Sequence, residues 1–351
     1  MSLRARQRSA IRRRTPRLRG VGRPIVLKLG GELLESPQRT EAIGAAIAGL
    51  RGGDPLVVVH GGGKDIDAAL ARAGIAKRQV DGLRLTDEAT LDVVVSVLAG
   101  LVNTRLVAAV TAAGGDGIGL TGADGAIGLV EQAEPHAATD GSRVDLGRVG
   151  TPVKGQSLHL LSDLYRRGYV PIIATIGVSR SGQLYNVNAD TFAAHIASAL
   201  GAQRLVIAGG TAGVLDDHGK SIRTLDPAVV DRLVTAGTAT AGMIAKLSAC
   251  RDAAAHGVRE VFIANGHDLA GLTQLIREGS RAAVAGCTLV RARPSPQRSQ
   301  SSKSSSKKRP QSGTGSSARR SGRSLNRSFS VASVFGRQAS VTSVVSGPKQ
   351  S

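Results

Sequence analysis

Residues 55–74, PLVVVHGGGKDIDAALARAG, decide the fold class of this 351-residue chain. The stretch begins with an apolar run rich in valine, which is typical of a strand buried in a parallel sheet. Three glycines follow, and the residues after them place apolar side chains at helical spacing. A strand, a glycine turn and a helix in direct succession indicate an α/β fold.

The same order recurs on both sides of this stretch. Apolar strands that end in small residues are predicted at PIVLKLGG (24–31), YVPIIATIGV (169–178) and RLVIAGGTAGVLD (204–216). Helical patterns lie between them, over 87–113, 155–168, 189–200 and 241–256. We therefore predict an α/β fold, a three-layer αβα sandwich with a central, mostly parallel sheet. Its glycine turns are expected at the carboxyl edge of the sheet, where such folds bind ligands.

The net charge of +20 belongs to the two ends of the chain. Residues 1–23 hold nine arginines and residues 291–351 hold 13 lysines and arginines, without any acidic residue. The stretch between them carries 24 basic and 26 acidic residues, a net charge of about −2. We predict a disordered or transit-like basic extension over 1–23, one domain over 24–292, and a Ser/Lys/Arg-rich disordered tail over 293–351.

Composition argues against several classes of protein. Aromatic residues make up only 2% of the chain, which argues against a stacking platform for single-stranded nucleic acid. Two cysteines, Cys250 and Cys287, cannot form a disulfide framework or a metal site by themselves, and buried free thiols are expected. No apolar run reaches about 18 residues, so we expect no membrane span and a cytoplasmic protein, or an organelle matrix protein if 1–23 is a transit peptide.

The glycine turns are candidate anion sites. Gly30 and Gly31 end one strand, and residues 61–63 separate the next strand from its helix. Glycine lets a backbone approach a ligand, and a helix N-terminus offers free N–H groups to anions, but tight packing explains such turns equally well. The spacing matches neither a P-loop nor a dinucleotide fingerprint.

Two lysines and one aspartate suggest phosphoryl transfer. Lys28 lies within an apolar strand and Lys246 within the apolar stretch GMIAKLSAC. Both lysines could neutralise a transferring phosphoryl group while Asp190 holds their ammonium groups, although each lysine could also extend to the surface. In QLYNVNAD (183–190), alternation places Asn186, Asn188 and Asp190 on one face of an extended segment, and helix capping by Asn188 or Asp190 is the alternative.

The ordered set of motifs resembles the acetylglutamate kinases, a branch of the amino acid kinase family. The resemblance covers about 24–291 and rests on KLGG, VVVHGGGKDID, GLRLTDEATLD, GLTGADG, GYVPIIATIGV, GQLYNVNAD and TAGMIAKLSACRDA. It implies transfer of the ATP γ-phosphoryl group to the side-chain carboxylate of N-acetyl-L-glutamate, the second step of arginine biosynthesis. Mg²⁺ would accompany ATP and be bound mainly through the phosphates, without a protein metal site.

The resemblance also implies roles for individual residues. Lys28 and Lys246 would stabilise the transition state, and Asp190 would orient them. The acyl amino acid would bind in a lobe over 24–178, and ATP in a lobe over 179–292. The implied acceptor-binding residues are Gly62, Gly63, Arg84, Asn186 and Asn188. The implied nucleotide-binding residues are Gly30, Gly31, Gly210, Thr211, Gly213 and Leu215.

Departures from the family pattern leave alternatives open. Gly210 stands where the family usually carries an acidic residue near the nucleotide, and Lys64 stands where proline commonly follows the triple glycine. Residues 1–23 lack the apolar periodicity of the helix that builds arginine-sensitive hexamers, so we expect a homodimer. The alternatives are a kinase for N-acetyl-aminoadipate or N-succinyl-glutamate and a non-catalytic arginine-sensing domain. The basic ends could also bind polyanions weakly.

Overall fold

A computed structural model describes residues 22–216, 218–235 and 241–291 of the chain. In this part of the chain the strands, numbered in chain order, are β1 (Ile25–Leu29), β2 (Leu56–His60), β3 (Gln79–Val80), β4 (Leu83–Arg84), β5 (Gly117–Thr121), β6 (Val130–Gln132), β7 (His136–Ala137), β8 (Arg143–Val144), β9 (Gly150–Pro152), β10 (Val170–Ala174), β11 (Ile176–Val178), β12 (Leu184–Asn186), β13 (Arg204–Gly209), β14 (Thr224–Leu225), β15 (Glu260–Asn265) and β16 (Cys287–Val290).

The α-helices of the same residues are α1 (Pro37–Ala48), α2 (Gly63–Arg72), α3 (Glu88–Val95), α4 (Asn103–Ala112), α5 (His159–Arg166), α6 (Ala189–Ala199), α7 (Pro227–Thr235), α8 (Ala241–Ala255) and α9 (Leu269–Glu278). A π-helical segment, Ser96–Val102, joins α3 to α4 without a break. Short 3-10 turns occur at Gly31–Leu33, Asp124–Ala126 and Gly279–Arg281.

Eight of these strands form the central sheet, in the order β14-β16-β15-β13-β1-β2-β10-β5. Every neighbouring pair in this sheet is parallel except β15 with β16. The four strands predicted from sequence all form, and the four predicted helical stretches are helical over most of their length. The other four strands of this sheet, β5, β14, β15 and β16, and helices α1, α7 and α9 were not among the predictions.

Strand side chains alternate between two apolar layers. On β1, Ile25, Leu27 and Leu29 belong to the core on one face of the sheet, and Val26 belongs to the core on the other face. The first core includes residues of α1, α4 and α9, and the second includes residues of α6 and α8. The predicted three-layer αβα sandwich with a mostly parallel sheet is therefore confirmed.

The helical segment Glu88–Ala112 combines α3, the π-helical segment and α4. By length and composition it passes the test for a helix that could cross a membrane. In this fold its buried residues, which include Val94, Leu98 and Leu106, belong to the core beneath the sheet. Core helices commonly satisfy the same test, so the finding is weak evidence for a membrane span.

The domain boundaries stay a prediction. The described residues fall within one compact unit, and residues 1–21 and 292–351 of the two basic ends lie outside the described part of the chain. The stretches assigned to the two lobes each supply four strands to a single sheet. Strands β1, β2, β5 and β10 come from the first stretch, and β13 to β16 come from the second.

Candidate active site

Two lysines and one aspartate are in contact on one face of the central sheet. Lys28 lies on β1, on the face that carries Val26, and this face packs against α6 and α8. The first turn of α6 carries Asp190, and α8 carries Lys246. Lys28 Nζ lies 2.8 Å from Asp190 Oδ1, and Lys246 Nζ donates to Asp190 Oδ2 at 2.9 Å. The structure thus brings together the three residues predicted to carry the chemistry.

The charges of this group are mutually dependent. Burial alone would raise the pKa of Asp190, but the charges and hydrogen bonds of Lys28 and Lys246 outweigh it and lower the pKa to about 2. Burial alone would lower the pKa of Lys246, but Asp190 raises it, with smaller contributions from Cys250 and Glu32. One carboxylate is therefore shared by two buried ammonium groups, which leaves a net positive charge for an incoming anion.

Asn188 fixes the position of Asp190. Its Oδ1 accepts the backbone N–H groups of Asp190 at 3.0 Å and of Thr191 at 3.1 Å, which makes Asn188 the N-cap of α6. The prediction that Asn186, Asn188 and Asp190 share one extended segment is wrong at Asp190, because the helix begins at Ala189. The capping alternative is confirmed for Asn188, and Asp190 reaches the lysines from the first turn of a helix.

The two glycine turns touch each other through their backbones. A Cβ atom at Gly31 would lie 2.7 Å from Gly62 Cα and 2.8 Å from Gly63 N. Helix α2 begins at Gly63 without a side-chain cap, so its N-terminus offers backbone donors as predicted. The N–H of Gly30, in contrast, donates to Ala208 O at 2.9 Å, so Gly30 contributes space and not a donor.

Arg84 lies beside the second turn but already has an anionic partner. Its side chain is 8% exposed and donates to the Asp67 carboxylate and, at 3.5 Å, to Gly63 O. Among the described residues, Arg84 Nη1 is buried and has no hydrogen-bond partner. Arg84 therefore has a buried guanidinium nitrogen whose hydrogen-bonding capacity is not used by the described residues. The role of Asp67 as the partner of Arg84 was missed from sequence.

Asn186 is held by the segment that follows Arg84. Its Nδ2 donates to Thr86 Oγ1 at 3.2 Å, and its backbone N–H donates to Arg148 O at 2.9 Å. Asn186 is half-buried at the end of β12, on the approach to α6. Asn186 thus contacts the segment that follows Arg84, and its predicted role in binding the substrate stays a prediction.

A cavity of about 270 Å³ adjoins Asp190 and Lys246, whereas Lys28 does not line it. The predicted residues that line it are Asn188, Asp190, Gly210, Thr211 and Lys246. Gly213 and Leu215 do not line it: Gly213 packs against Thr288, and Leu215 is 46% exposed. The remaining lining residues were missed from sequence and are Glu32, Asp81, Gly82, Leu83, Gly209, Gly242, Met243 and Ala245.

Glu32 is the missed residue with the most direct chemical consequence. It follows the first glycine turn, and its Oε1 accepts the backbone N–H of Gly210 at 2.9 Å. An acidic group therefore lies beside the position at which Gly210 departs from the family pattern. An acidic residue directly after a strand-ending glycine pair was the available sequence signal.

The other titratable residues take structural roles. His60 is fully buried, and burial lowers its pKa to about 4; Asn103 Nδ2 donates to its Nε2 at 3.0 Å. Burial also lowers the pKa of His195 to about 4. Asp124 accepts the backbone N–H of Thr121, as expected of a turn residue. Cys250 is a buried free thiol as predicted, whereas Cys287 is only half-buried.

The described residues contain no group of three or more His, Cys, Asp or Glu side chains that could hold a metal ion. Asp190, a carboxylate of the cavity, is already paired with two lysines. Within this part of the chain, a divalent cation would therefore have to take most of its ligands from a bound phosphate.

Comparison with known proteins agrees with this geometry. Residues 23–265 match the model of the "Amino acid kinase family". The acetylglutamate kinase of Methanopyrus kandleri is 43% identical over 68% of this chain and 94% of its own length. The acetylglutamate kinase of Brucella abortus (strain S19) is 41% identical over 69% of this chain and 83% of its own length.

Among solved structures, the smu.665 protein of Streptococcus mutans UA159 is similar, with a TM-score of 0.58 and 26% identity over 69% of this chain and 94% of that one. The two kinase relatives are thus covered over most of their own length, and the family match includes all three residues of the lysine–aspartate group. The chain belongs to the amino acid kinase family, and its sequence groups it with the acetylglutamate kinases of that family.

Proposed function

We propose that the chain transfers the γ-phosphoryl group of ATP to the side-chain carboxylate of N-acetyl-L-glutamate, the second step of arginine biosynthesis. The observation that carries this proposal is the bridge of Asp190 between Lys28 and Lys246, beside two glycine turns in backbone contact. Relatives that are covered over 83% and 94% of their length and named acetylglutamate kinase support the choice of substrate.

The chemistry needs charge neutralisation and not a general base. A glutamate side-chain carboxylate is already ionised near neutral pH, so the nucleophile requires no deprotonation. Negative charge builds up on the transferring group and the leaving phosphate, and positioned cations stabilise it. Lys28 and Lys246 supply these cations, and Asp190 holds both ammonium groups at fixed positions.

The acceptor is held on the side of the second glycine turn. Gly62 and Gly63 offer backbone N–H groups at the start of α2, and the unpartnered Nη1 of Arg84 binds a substrate carboxylate. Asn186 and Asn188 contact the same substrate. Because Asn188 Oδ1 accepts two backbone N–H groups, its contact comes from its NH₂ group.

ATP binds on the side of β13. Gly30 and Gly31 allow the phosphates to approach, and Gly210, Thr211, Gly213 and Leu215 form the adjacent nucleotide region. The stretch 24–178 then serves the acyl amino acid and 179–292 serves ATP. Mg²⁺ is held mainly through the ATP phosphates and neutralises part of their charge. Of this set, Gly210 and Thr211 line the cavity beside Lys246, whereas Gly30, Gly31, Gly213 and Leu215 do not.

The assembly and location of the chain belong to the same proposal. The protein is a homodimer in the cytoplasm, or in an organelle matrix if residues 1–23 direct it there. Its basic ends bind polyanions weakly, in proportion to the charge that they carry.

The direct test is ADP release by the purified chain with ATP and Mg²⁺. The acceptors are N-acetyl-L-glutamate, glutamate, aspartate, N-acetyl-aminoadipate and N-succinyl-glutamate, and Lys246→Ala is the blank. Turnover with N-acetyl-L-glutamate that is lost in the blank supports the proposal. Turnover confined to another acceptor assigns a related kinase with the same mechanism, and no turnover from folded protein refutes a catalytic role.

A further inference from the structure

Glu32 places a carboxylate in the cavity that the proposed function assigns to phosphates. The side chain folds back over its own glycine turn, so that a Cβ atom at Gly30 would collide with both carboxylate oxygens. A Cβ atom at Gly209 would lie 3.2 Å from Glu32 Oε1, and one at Gly210 would lie 3.6 Å from Glu32 Cγ. Three glycines of two strand ends thus make room for this carboxylate.

The Glu32 carboxylate accepts a hydrogen bond from a backbone N–H group of the kind that binds phosphate. Backbone N–H groups in glycine turns at strand ends form anion sites because no side chain keeps the ligand away. The N–H of Gly210 is such a donor, and it is bonded to Glu32 Oε1 at 2.9 Å. Glu32 and Lys246 line the same cavity, so the carboxylate also lies in the field of the lysine that would meet the phosphoryl group.

We propose that Glu32 is an internal competitor of the nucleotide phosphates: its carboxylate holds the Gly210 N–H and is displaced when a phosphate oxygen takes that position. This inference rests on the proposed function, because it assumes that ATP phosphates enter this cavity. It assigns Glu32 a role in setting the affinity for ATP and none in the chemical step. Removal of its charge should therefore strengthen ATP binding and leave kcat nearly unchanged.

The test measures equilibrium binding of ATP to the full chain by calorimetry, for the wild type, Glu32→Gln and Glu32→Ala. A charged hydrogen bond is about twice as strong as a neutral one, so we expect Gln to tighten ATP binding about tenfold, and Ala to tighten it further. The matched control is Glu35→Gln. Glu35 also follows the first glycine turn, but it pairs with Lys64 and does not line the cavity, so its ATP affinity should stay within about twofold of the wild type.

Binding is measured both with Mg²⁺ and with EDTA. Because Mg²⁺ neutralises part of the phosphate charge, the gain from Glu32→Gln should be larger with EDTA. Weaker ATP binding by Glu32→Gln only with Mg²⁺ would overturn the proposal and make Glu32 a ligand of the cation. Weaker or unchanged binding under both conditions would overturn it as well.

The same measurements separate this inference from the proposed function. A wild-type chain that binds ATP and phosphorylates N-acetyl-L-glutamate, with no gain in the Gln variant, refutes only the role of Glu32. A wild-type chain that binds no ATP refutes both. Steady-state kinetics give an independent check, since a competitor of the nucleotide changes the KM for ATP and not the KM for N-acetyl-L-glutamate.

Discussion

The charge balance of the site depends on a single residue, Asp190. Its side chain is 9% exposed, and its carboxylate neutralises one of the two lysine charges that it contacts. A buried ion pair contributes little net stability by itself, but removal of one partner leaves a buried charge without compensation. Asp190 is therefore required for the stability of the site as well as for the orientation of both lysines.

We expect Asp190→Asn to lower the free energy of unfolding at pH 7 by about 3 kcal/mol and kcat by at least about 100-fold. The folded-state pKa of about 2 lies below the ordinary value of 3.8. The ionised carboxylate thus contributes about 2 kcal/mol of stability above pH 4, and this contribution is lost as the pH falls through 2. Urea unfolding of both proteins across this range measures it. A stability difference independent of pH would mean that Asp190 is not ionised between the lysines.

Single residues of the site could be predicted from sequence, but their long-range partners could not. Lys28 and Lys246 were identified because lysine is rarely buried without a partner, and the structure supplies that partner. Glu32 and Gly210 lie 178 residues apart in sequence, and Arg84 lies 17 residues from Asp67. These pairings arise from the packing of separate elements, and no local pattern in the sequence records them.

Among the elements, the two glycine turns are in backbone contact, and this contact leaves no room for a side chain at Gly31. The Cβ atom of an alanine at Gly31 would meet the backbone of Gly62 and Gly63 at 2.7 to 2.9 Å, closer than real Cβ contacts. Backbone atoms cannot rotate out of the way as a flexible side chain can. One strand end must therefore move away from the other.

We expect Gly31→Ala to lower the free energy of unfolding by about 2 kcal/mol and to reduce turnover, because the donor and acceptor turns are forced apart. Urea unfolding and ADP release measure the two effects. The control is Gly100→Ala in the π-helical segment, where a Cβ atom meets nothing within 4 Å. That variant should keep full turnover and change stability by at most about 1 kcal/mol, in the stabilising direction. Equal effects of the two substitutions would contradict a steric requirement at Gly31.

The N-terminus of α6 supports a second prediction for an element. We expect Asn188→Ala to cost about 1 kcal/mol of stability and to reduce kcat by more than that loss explains, because the cap positions Asp190. Ser36→Ala removes the cap of α1, where Ser36 Oγ accepts the N–H of Arg39 at 3.2 Å, and serves as the control. The control should lose similar stability and retain turnover. If both variants lose turnover equally, the cap has no special relation to the site.

Among the strands and helices, those with a clear local sequence pattern were predicted. Strands β1, β2, β10 and β13 were found because their apolar runs end in glycine or other small residues. Strand β5, GIGLT, has few apolar residues and is only partly buried at the edge of the sheet, so it lacked that signal. The π-helical segment was predicted as ordinary helix. Its Leu98 and Val102 pack against Gly62, and such a local widening depends on tertiary contacts.

For the whole molecule, the main question is what the basic ends contribute. They hold nearly half of the 46 lysines and arginines, whereas the stretch 24–290 is close to neutral. We expect removal of residues 1–21 and 292–351 to leave ADP release unchanged and to abolish binding to a polyanion such as heparin. The full chain should bind heparin with a steep salt dependence, because binding releases counterions. A truncated chain that still binds heparin would place the anion-binding surface within 22–291.

The single sheet also determines how this molecule can move. Strand β1 carries Lys28 and pairs along its whole length with β13, from Ile25 with Arg204 to Leu29 with Ala208. A hinge between the two proposed lobes would have to break these backbone hydrogen bonds in the middle of the buried core. The strands around the site therefore bend and twist as one elastic body, and large opening motions are confined to segments outside the sheet. The β3–β4 hairpin, which includes Gly82 and Leu83 of the cavity wall, lies outside this sheet and is not held by its hydrogen bonds.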